Sequence, residues 1–135
     1  MSGDNNPVEV AAALIFQNGK LLIARRQAQA HLGGLWEFPG GKREANETFE
    51  ACLVREIREE LGVEISVGRL FDEVFHAYTE KTVRLKFFIC GLLSGEPQAL
   101  GCAAFQWIET TELADYEFPA ADAKLLNKVR AYSFP

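Results

Sequence analysis

Three cysteines, Cys52, Cys90 and Cys102, are the only thiols of this chain, and no two stand in CxxC spacing. An odd number without that spacing excludes a disulfide framework and a zinc ribbon; their apolar neighbours mark them as buried, reduced thiols, as in cytosol. Long hydrophobic runs are also missing: nothing approaches the roughly 18 apolar residues of a membrane span. The opening MSGDNNPVEV carries neither the charged nor the apolar region of a signal peptide, so a cytoplasmic location is expected. Basic residues are outnumbered, 14 Lys and Arg against 19 Asp and Glu, for a net charge of −5. That balance argues against a nucleic-acid polymer, whose phosphate-tracking partners are usually basic. A small nucleotide delivered with its metal survives the test, because the ion reverses the local electrostatics. No repeat, low-complexity tract or linker divides the 135 residues, which read as one domain, 1–135, with an ordinary 48% hydrophobic content.

What is present reads as alternating strands and helices. Residues 9–16 and 20–25 are apolar, β-prone runs joined by Gln17-Asn18-Gly19, a strong hairpin signal. An irregular loop, 27–35, leads to a short strand at 36–38, and Pro39-Gly40-Gly41 turns the chain towards a helix. Residues 63–77 are extended with a bulge at Gly68, 79–81 turn, 83–92 form a second long strand, and 105–108 a short one. Pro119 suits the first turn of one last helix with Leu125, Leu126 and Val129 as its buried stripe. The sum is a mixed sheet flanked by helices, an α/β/α sandwich.

The most informative segment is 41–63, GKREANETFEACLVREIREELGV, which has the pattern G-x5-E-x7-R-E-U-x-E-E-x-G-U, with U a bulky aliphatic. Phe49, Leu53, Val54, Ile57 and Leu61 recur at helical steps and form a buried stripe. Gly62 sits where a left-handed cap belongs, and Asn46 or Thr48 supplies the N-cap. At about 100° per residue, Glu56, Glu59 and Glu60 fall within roughly 100° around the axis. Three carboxylates on one face repel one another. A solvated acidic face is the usual reading of such a run, but nine positions coinciding over 23 residues favour a neutralising cation. Hard oxygen donors suit Mg²⁺, or Mn²⁺.

That segment is a complete match to the Nudix box, the signature of hydrolases that cut nucleoside diphosphates linked to another group. Around it, Arg25-Arg26, Ala30-His31, the run 35–42 (LWEFPGGK) and Phe118-Pro119-Ala120-Ala121-Asp122 resemble the MutT branch, so the likeness spans about residues 8–130. The resemblance implies a single Nudix-type domain and a metal-dependent nucleoside triphosphate pyrophosphohydrolase, releasing nucleoside monophosphate and pyrophosphate. It implies a nucleotide-pool role on oxidised or non-standard nucleotides such as 8-oxo-dGTP. A CTP- or dCTP-preferring enzyme of the same branch and a non-catalytic base-reading module are the alternatives. It further implies that the Gly40 carbonyl, Glu56, Glu59 and Glu60 hold the metal, that Arg55 orients the carboxylates, and that Glu59 helps deprotonate the attacking water. Arg26, Phe38 and Tyr78 match positions beside the nucleotide. The partner expected is the nucleoside triphosphate alone, with no membrane and no nucleic-acid polymer, on a monomer or homodimer.

The chain departs from the branch pattern at one place. Where some MutT-like enzymes carry a further glutamate in a late loop, this sequence has Gly101, and no carboxylate lies between Glu96 and Glu109. The general base is therefore open. Several neighbours read more plainly: Trp36 as core, His31 as a surface residue of its loop, Lys42 and Arg43 as phosphate contacts or solvated cations, and Glu47 as a brace for Arg55 or its loop. Asp122 bears on base choice. Asn at this place offers a donor and an acceptor, whereas ionised Asp only accepts and donates to a purine O6 only if burial keeps it protonated. Read as ionised, Asp122 relaxes selectivity away from strict 8-oxo-dGTP; the other reading makes it a helix-start aspartate.

Overall fold

The computed structural model describes residues 6–132; residues 1–5, on which part of the N-terminal reading rests, lie outside them. Its spine is β1 (Val8–Gln17), which pairs in parallel with β6 (Thr82–Ser94) along one edge. On the other edge it pairs antiparallel with β2 (Lys20–Arg25) at its far end and with β4 (Gly40–Lys42) at its near end. β3 (Trp36–Glu37) and β7 (Ala104–Ile108) pair with β2, and β5 (Glu64–Ala77) pairs with β6 to end the seven-stranded mixed sheet.

Side-chain alternation on β1 divides the molecule into layers. Ala11, Ala13 and Ile15 face one apolar cluster with Cys52, Leu53, Ile57 and Leu61 of α1 (Phe49–Leu61). Ala12 and Leu14 face the other, with Phe38, Phe87, Leu113, Leu125 and Val129. Each fully buried Leu or Ile contributes roughly 1.5–3 kcal/mol, and the two clusters clamp the sheet from both sides. The expected α/β/α sandwich with a mixed sheet is therefore the observed one. The hairpin also forms as read: Asn18 (φ 54°) and Gly19 (φ 77°) both take the left-handed conformation that a tight primed turn needs. Shifts of register around Gly68 place a bulge in β5. Thr48 is the N-cap of α1, its Oγ1 accepting from the Ala51 amide at 3.0 Å, and Gly62 caps the other end at φ 70°.

Three expectations need correction. Gly40-Gly41-Lys42 is not a turn but a strand, laid against Val10–Ala12. The short strand before it ends at Glu37, so Phe38 lies between strands. The C-terminal segment is not one helix: a 3-10 turn (Thr110–Asp115) precedes α2 (Ala120–Ala123) and α3 (Leu126–Ala131). Pro119 stands at the N-cap of α2, and Leu125 (φ −117°, ψ 3°) breaks the run. That break turns Ala121, Asp122 and Leu125 inward together, while Leu126 is only half-buried.

The β4–β1 contact exists because residue 40 has no side chain. A Cβ there would lie 1.9 Å from the Ala11 carbonyl oxygen, a backbone atom that cannot swing away. At Gly41 the obstruction is the Glu56 carboxylate at 2.2 Å, the end of a flexible side chain. Gly40→Ala should therefore lower stability by about 1–3 kcal/mol, as overpacking does, whereas Gly41→Ala should displace Glu56 and leave stability close to wild type. Urea unfolding midpoints of the two variants check this; equal midpoints would contradict it.

Candidate active site

The box helix delivers its acidic residues into three different environments. Arg55 organises them. Its Nε and Nη2 grip Glu47 at 3.1 and 2.6 Å, its Nη1 donates to Glu56 at 2.8 Å and Glu59 at 3.3 Å, and Nη2 reaches the Lys42 carbonyl at 3.2 Å. The two-point grip is thus on Glu47, which also accepts from the Glu44 amide at 2.9 Å and so braces both the arginine and the loop. These bonds hold the Glu47 carboxyl down to about 2. Glu59, with 61% of its side chain exposed, points to solvent. Glu56 lines a cavity, and desolvation ahead of all other influences raises its pKa. Glu60 is turned inward: its Oε1 is sealed from solvent without a hydrogen-bond partner. Burial first, then the charges of Glu37 and Glu56, lift Glu60 to about 9.

The cavity beside them has a volume of about 400 Å³. Gly40, Gly41, Lys42 and Glu56 line one end; Val8, Val10, Ala12, Val83 and Leu85 supply apolar wall; Arg26, Glu37, Tyr78 and Asp122 line the rest. Of the base-pocket residues expected from sequence, Arg26, Phe38, Tyr78 and Asp122 all line it. Phe38 is also core, 3% exposed, edge-on to Phe87 and tilted on Phe118. The Tyr78 hydroxyl accepts from the Ala121 amide at 3.4 Å. His31 is exposed but stands at the rim, its ring edge-on to Tyr78 at 5.9 Å between centroids. Trp36 packs against the core and Tyr116, as read. Arg43 does not line the cavity; it pairs with Glu9 and stacks on Phe49.

Sequence reasoning missed Glu37. It pairs with Arg26 at 2.8 Å, lines the cavity, and burial raises its pKa despite that partner. The available signal was a charged residue set between Trp36 and Phe38 in an apolar strand. Asp122 is 5% exposed, and burial, reinforced by Glu37, pushes its pKa well above the ordinary carboxylate range. It stands in the first turn of α2, a helix of four residues with Pro119 at its N-cap, so it is a helix-start aspartate that also lines the cavity. This burial disfavours the ionised form and shifts Asp122 towards the neutral acid, which donates as well as accepts.

The late loop meets the C-terminal end of the box helix. The amides of Leu100 and Gly101 both donate to the Glu60 carbonyl, at 3.1 and 3.0 Å, and a Cβ on Gly101 would rest 3.4 Å from the Glu60 Cα. A loop carboxylate is absent there; instead the segment caps the end of the box helix. Among the described residues no three acidic, histidine or cysteine side chains converge into a preformed metal cage. The three thiols are buried and free, as expected. No described helix is long and apolar enough to cross a membrane.

Comparison with known proteins places this geometry. Residues 10–128 match the family model of the NUDIX domain. The CTP pyrophosphohydrolase of Escherichia coli (strain K12) is 38% identical over 124 residues, 92% of this chain and 92% of that protein. The 8-oxo-dGTP diphosphatase of the same organism is 31% identical over 124 residues, covering 91% of this chain and 96% of its own length. Among solved structures, the MutT Nudix hydrolase of Burkholderia pseudomallei superposes with a TM-score of 0.83 at 27% identity, over 92% of this chain and 98% of that one. A whole-length match of sequence and fold, with every box position filled, means that this chain belongs to the Nudix family and is a MutT-like Nudix hydrolase.

Proposed function

We propose that this chain is a metal-dependent nucleoside triphosphate pyrophosphohydrolase that acts on oxidised or non-standard nucleotides such as 8-oxo-dGTP. One observation carries the reading: a single cavity joins the box carboxylate Glu56 to the half-buried Glu37 and the buried Asp122 across an apolar wall. Phosphates belong at the glycine and carboxylate end, and the base against the apolar wall with its edge on Asp122. A second reading, a CTP or dCTP preference, draws on the 38% identical CTP pyrophosphohydrolase. A screen of purified protein against both nucleotide sets with Mg²⁺, reading pyrophosphate against phosphate release, separates the two and tests hydrolysis itself.

The residues present fit a hard divalent cation. The donors are all oxygens, and the sealed, unpartnered Glu60 Oε1 is an acceptor in want of a positive charge. The Gly40 carbonyl, Glu56, Glu59 and Glu60 would hold Mg²⁺ (or Mn²⁺). When bound, the ion neutralises charge growing on the phosphates and lowers the pKa of coordinated water. Arg55 keeps Glu56 and Glu59 aimed, and Glu59, the solvent-facing member, takes the proton of the attacking water. Glu59→Gln should therefore cut kcat by about 10² or more, on the order of 3 kcal/mol in the barrier, without loss of fold. Undiminished turnover in this variant would remove Glu59 from the mechanism.

Metal and pH are linked through Glu60. Its folded pKa of about 9 lies above the 4.5 of an unperturbed glutamate, so the folded state keeps a proton that the unfolded chain releases. The stability this contributes is complete below pH 4.5 and is lost as pH rises through about 9. Glu37, Glu56 and Asp122 are shifted in the same direction. Metal-free protein should melt at progressively lower temperature from pH 5 to pH 9, Mg²⁺ should restore stability most at the alkaline end, and Glu60→Gln should flatten the slope. Thermal melts at fixed ionic strength with and without Mg²⁺ measure this; a melting temperature that rises with pH in the metal-free protein contradicts it.

Base choice rests on the protonation of Asp122. Neutral, its O–H donates to a purine O6 while its C=O accepts from a protonated N7, as an asparagine amide does. The ratio of kcat/KM for 8-oxo-dGTP over CTP should consequently fall as alkaline pH strips that proton. Asp122→Asn should remove this pH dependence and favour 8-oxo-dGTP by roughly tenfold at the alkaline end, the size of one buried hydrogen bond. Parallel pH profiles for wild type and variant would show that Asp122 does not read the base.

A further inference from the structure

Arg43 stands outside the cavity, between β4 and the box helix, and all three of its guanidinium nitrogens are engaged. Nε, at 3.0 Å, and Nη2 both donate to Oε1 of Glu9 on β1. Nη1 donates to two carbonyls of the loop ahead of α1, Glu44 at 3.2 Å and Glu47 at 2.8 Å. Its amide donates to the Glu9 carbonyl at 2.8 Å, and its guanidinium lies 5.3 Å from the centre of the Phe49 ring, the first residue of α1. Glu9 is held in turn from β6, where Arg84 Nη1 donates to its Oε2 at 3.0 Å. With four of its five N–H groups taken by protein, Arg43 is not built to receive a phosphate.

The path continues through Glu47. Its carbonyl belongs to Arg43, while its carboxylate grips Arg55 at 3.1 and 2.6 Å, and Arg55 Nη1 reaches Glu56 and Glu59. An unbroken run of hydrogen bonds thus leads from β1 to the box carboxylates. An exposed ion pair would contribute little. Here the Arg43 and Glu9 side chains are only 25% and 24% exposed, and one planar fork meets three separate acceptors. Lysine, a point charge on a flexible stem, does not reproduce that geometry.

We propose that Arg43 is a positioning residue for the metal-binding carboxylates: anchored on Glu9, it holds the Glu47 carbonyl and so fixes where the Glu47 carboxylate grips Arg55. This rests on the reading of Glu56, Glu59 and Glu60 as metal ligands. Arg43 touches neither metal nor substrate. Without it the Glu47 backbone loses its tie to the sheet, and Arg55 loses the fixed partner from which it aims Glu56 and Glu59. Groups behind the ligands of a metal typically change its affinity by about 10–100-fold. Arg43 acts through two intermediaries, so the lower end of that range, about tenfold, is expected.

The test uses the whole chain without nucleotide. Mn²⁺ binding is read from the loss of the free ion's spin-resonance signal, and the setting of Arg55 from its side-chain Nε–H resonance in NMR before metal is added. Arg43→Met should weaken Mn²⁺ binding by about tenfold, shift the Arg55 resonance and speed its exchange with water. Arg43→Lys, which keeps the charge beside Glu9 but not the fork, should do the same. Rescue of Mn²⁺ affinity by lysine would reduce Arg43 to a counter-ion and overturn the proposal. Affinity within twofold of wild type in Arg43→Met, with only thermal stability lowered, would make Arg43 a brace of the fold and overturn it too. So would weaker binding with an unmoved Arg55 resonance, since the effect would then bypass the chain of bonds. Failure of wild type to bind Mn²⁺, or an affinity that Glu56→Gln leaves unchanged, would sink the metal reading and the positioning role with it. Should Arg43→Met fail to fold, Glu9→Gln decides: it removes the charge of the anchor and should move both readouts in the same direction, and wild-type values there would overturn the proposal.

Discussion

Four carboxyl groups, those of Glu37, Glu56, Glu60 and Asp122, share one partly sealed region, and among the described residues only Arg26 and Arg55 form ion pairs with any of them. The rest of the structure depends on this constraint. Ionising desolvated acids side by side is expensive, and desolvation is the largest influence in raising all four. In the free protein all four are shifted towards their protonated forms. A packed core would discard such an arrangement for apolar residues. Its persistence in a cleft, on rigid elements, is the mark of a site whose ligand supplies the missing charge.

Holding the load requires a scaffold that does not give way, and β1 provides it. Its run of alanines, Ala11 to Ala13, lets α1 sit close on one face and lets Gly40 press its backbone against Ala11 from the edge. Larger residues on β1 would lift the box helix away from the sheet and separate Glu56 from Gly41. The late loop completes the restraint by feeding two amides to the Glu60 carbonyl. The helix end that carries the sealed glutamate is therefore fixed by backbone bonds, not by the ionisation state of its side chain.

What was legible in the sequence was what short-range rules govern. The box helix follows from apolar steps of three and four and a Gly stop, and its carboxylates from spacing alone, while the choice of Thr48 over Asn46 as its cap came from the structure. The hairpin at Asn18-Gly19 and the bulge at Gly68 follow from turn chemistry. The strand at Gly40–Lys42 was not legible, since paired glycines carry a turn signal. It forms because a long-range neighbour, β1, rewards the absence of a side chain. The break at Leu125 is likewise tertiary: turning Ala121 and Leu125 into the core is worth more than continuing a helix. Glu37 escaped because its pattern predicted only a strand. Asp122 was read as ionised, whereas its burial raises its pKa, and burial is something spacing does not report.

The two ends of the cavity are built differently, and this has a consequence for how such a site changes. The end proposed for the phosphates is assembled within residues 40–60, held by Arg55 and its partners. The end proposed for the base gathers Arg26, Glu37, Tyr78 and Asp122 from segments far apart in the chain. Among the described residues no ion pair joins the Arg55 network to the Arg26 pair; they meet through the electrostatic influence of Glu37 on Glu60 and Glu56 on Glu37. Such an influence decays with screening and distance and transmits charge but not shape. Neutral substitutions at the base end can therefore alter which base is read while the carboxylates keep their positions. A change of charge at Glu37 acts on Glu60 and on Asp122 together, as does one at Arg26, so at these two positions the two ends of the cavity are not electrically independent.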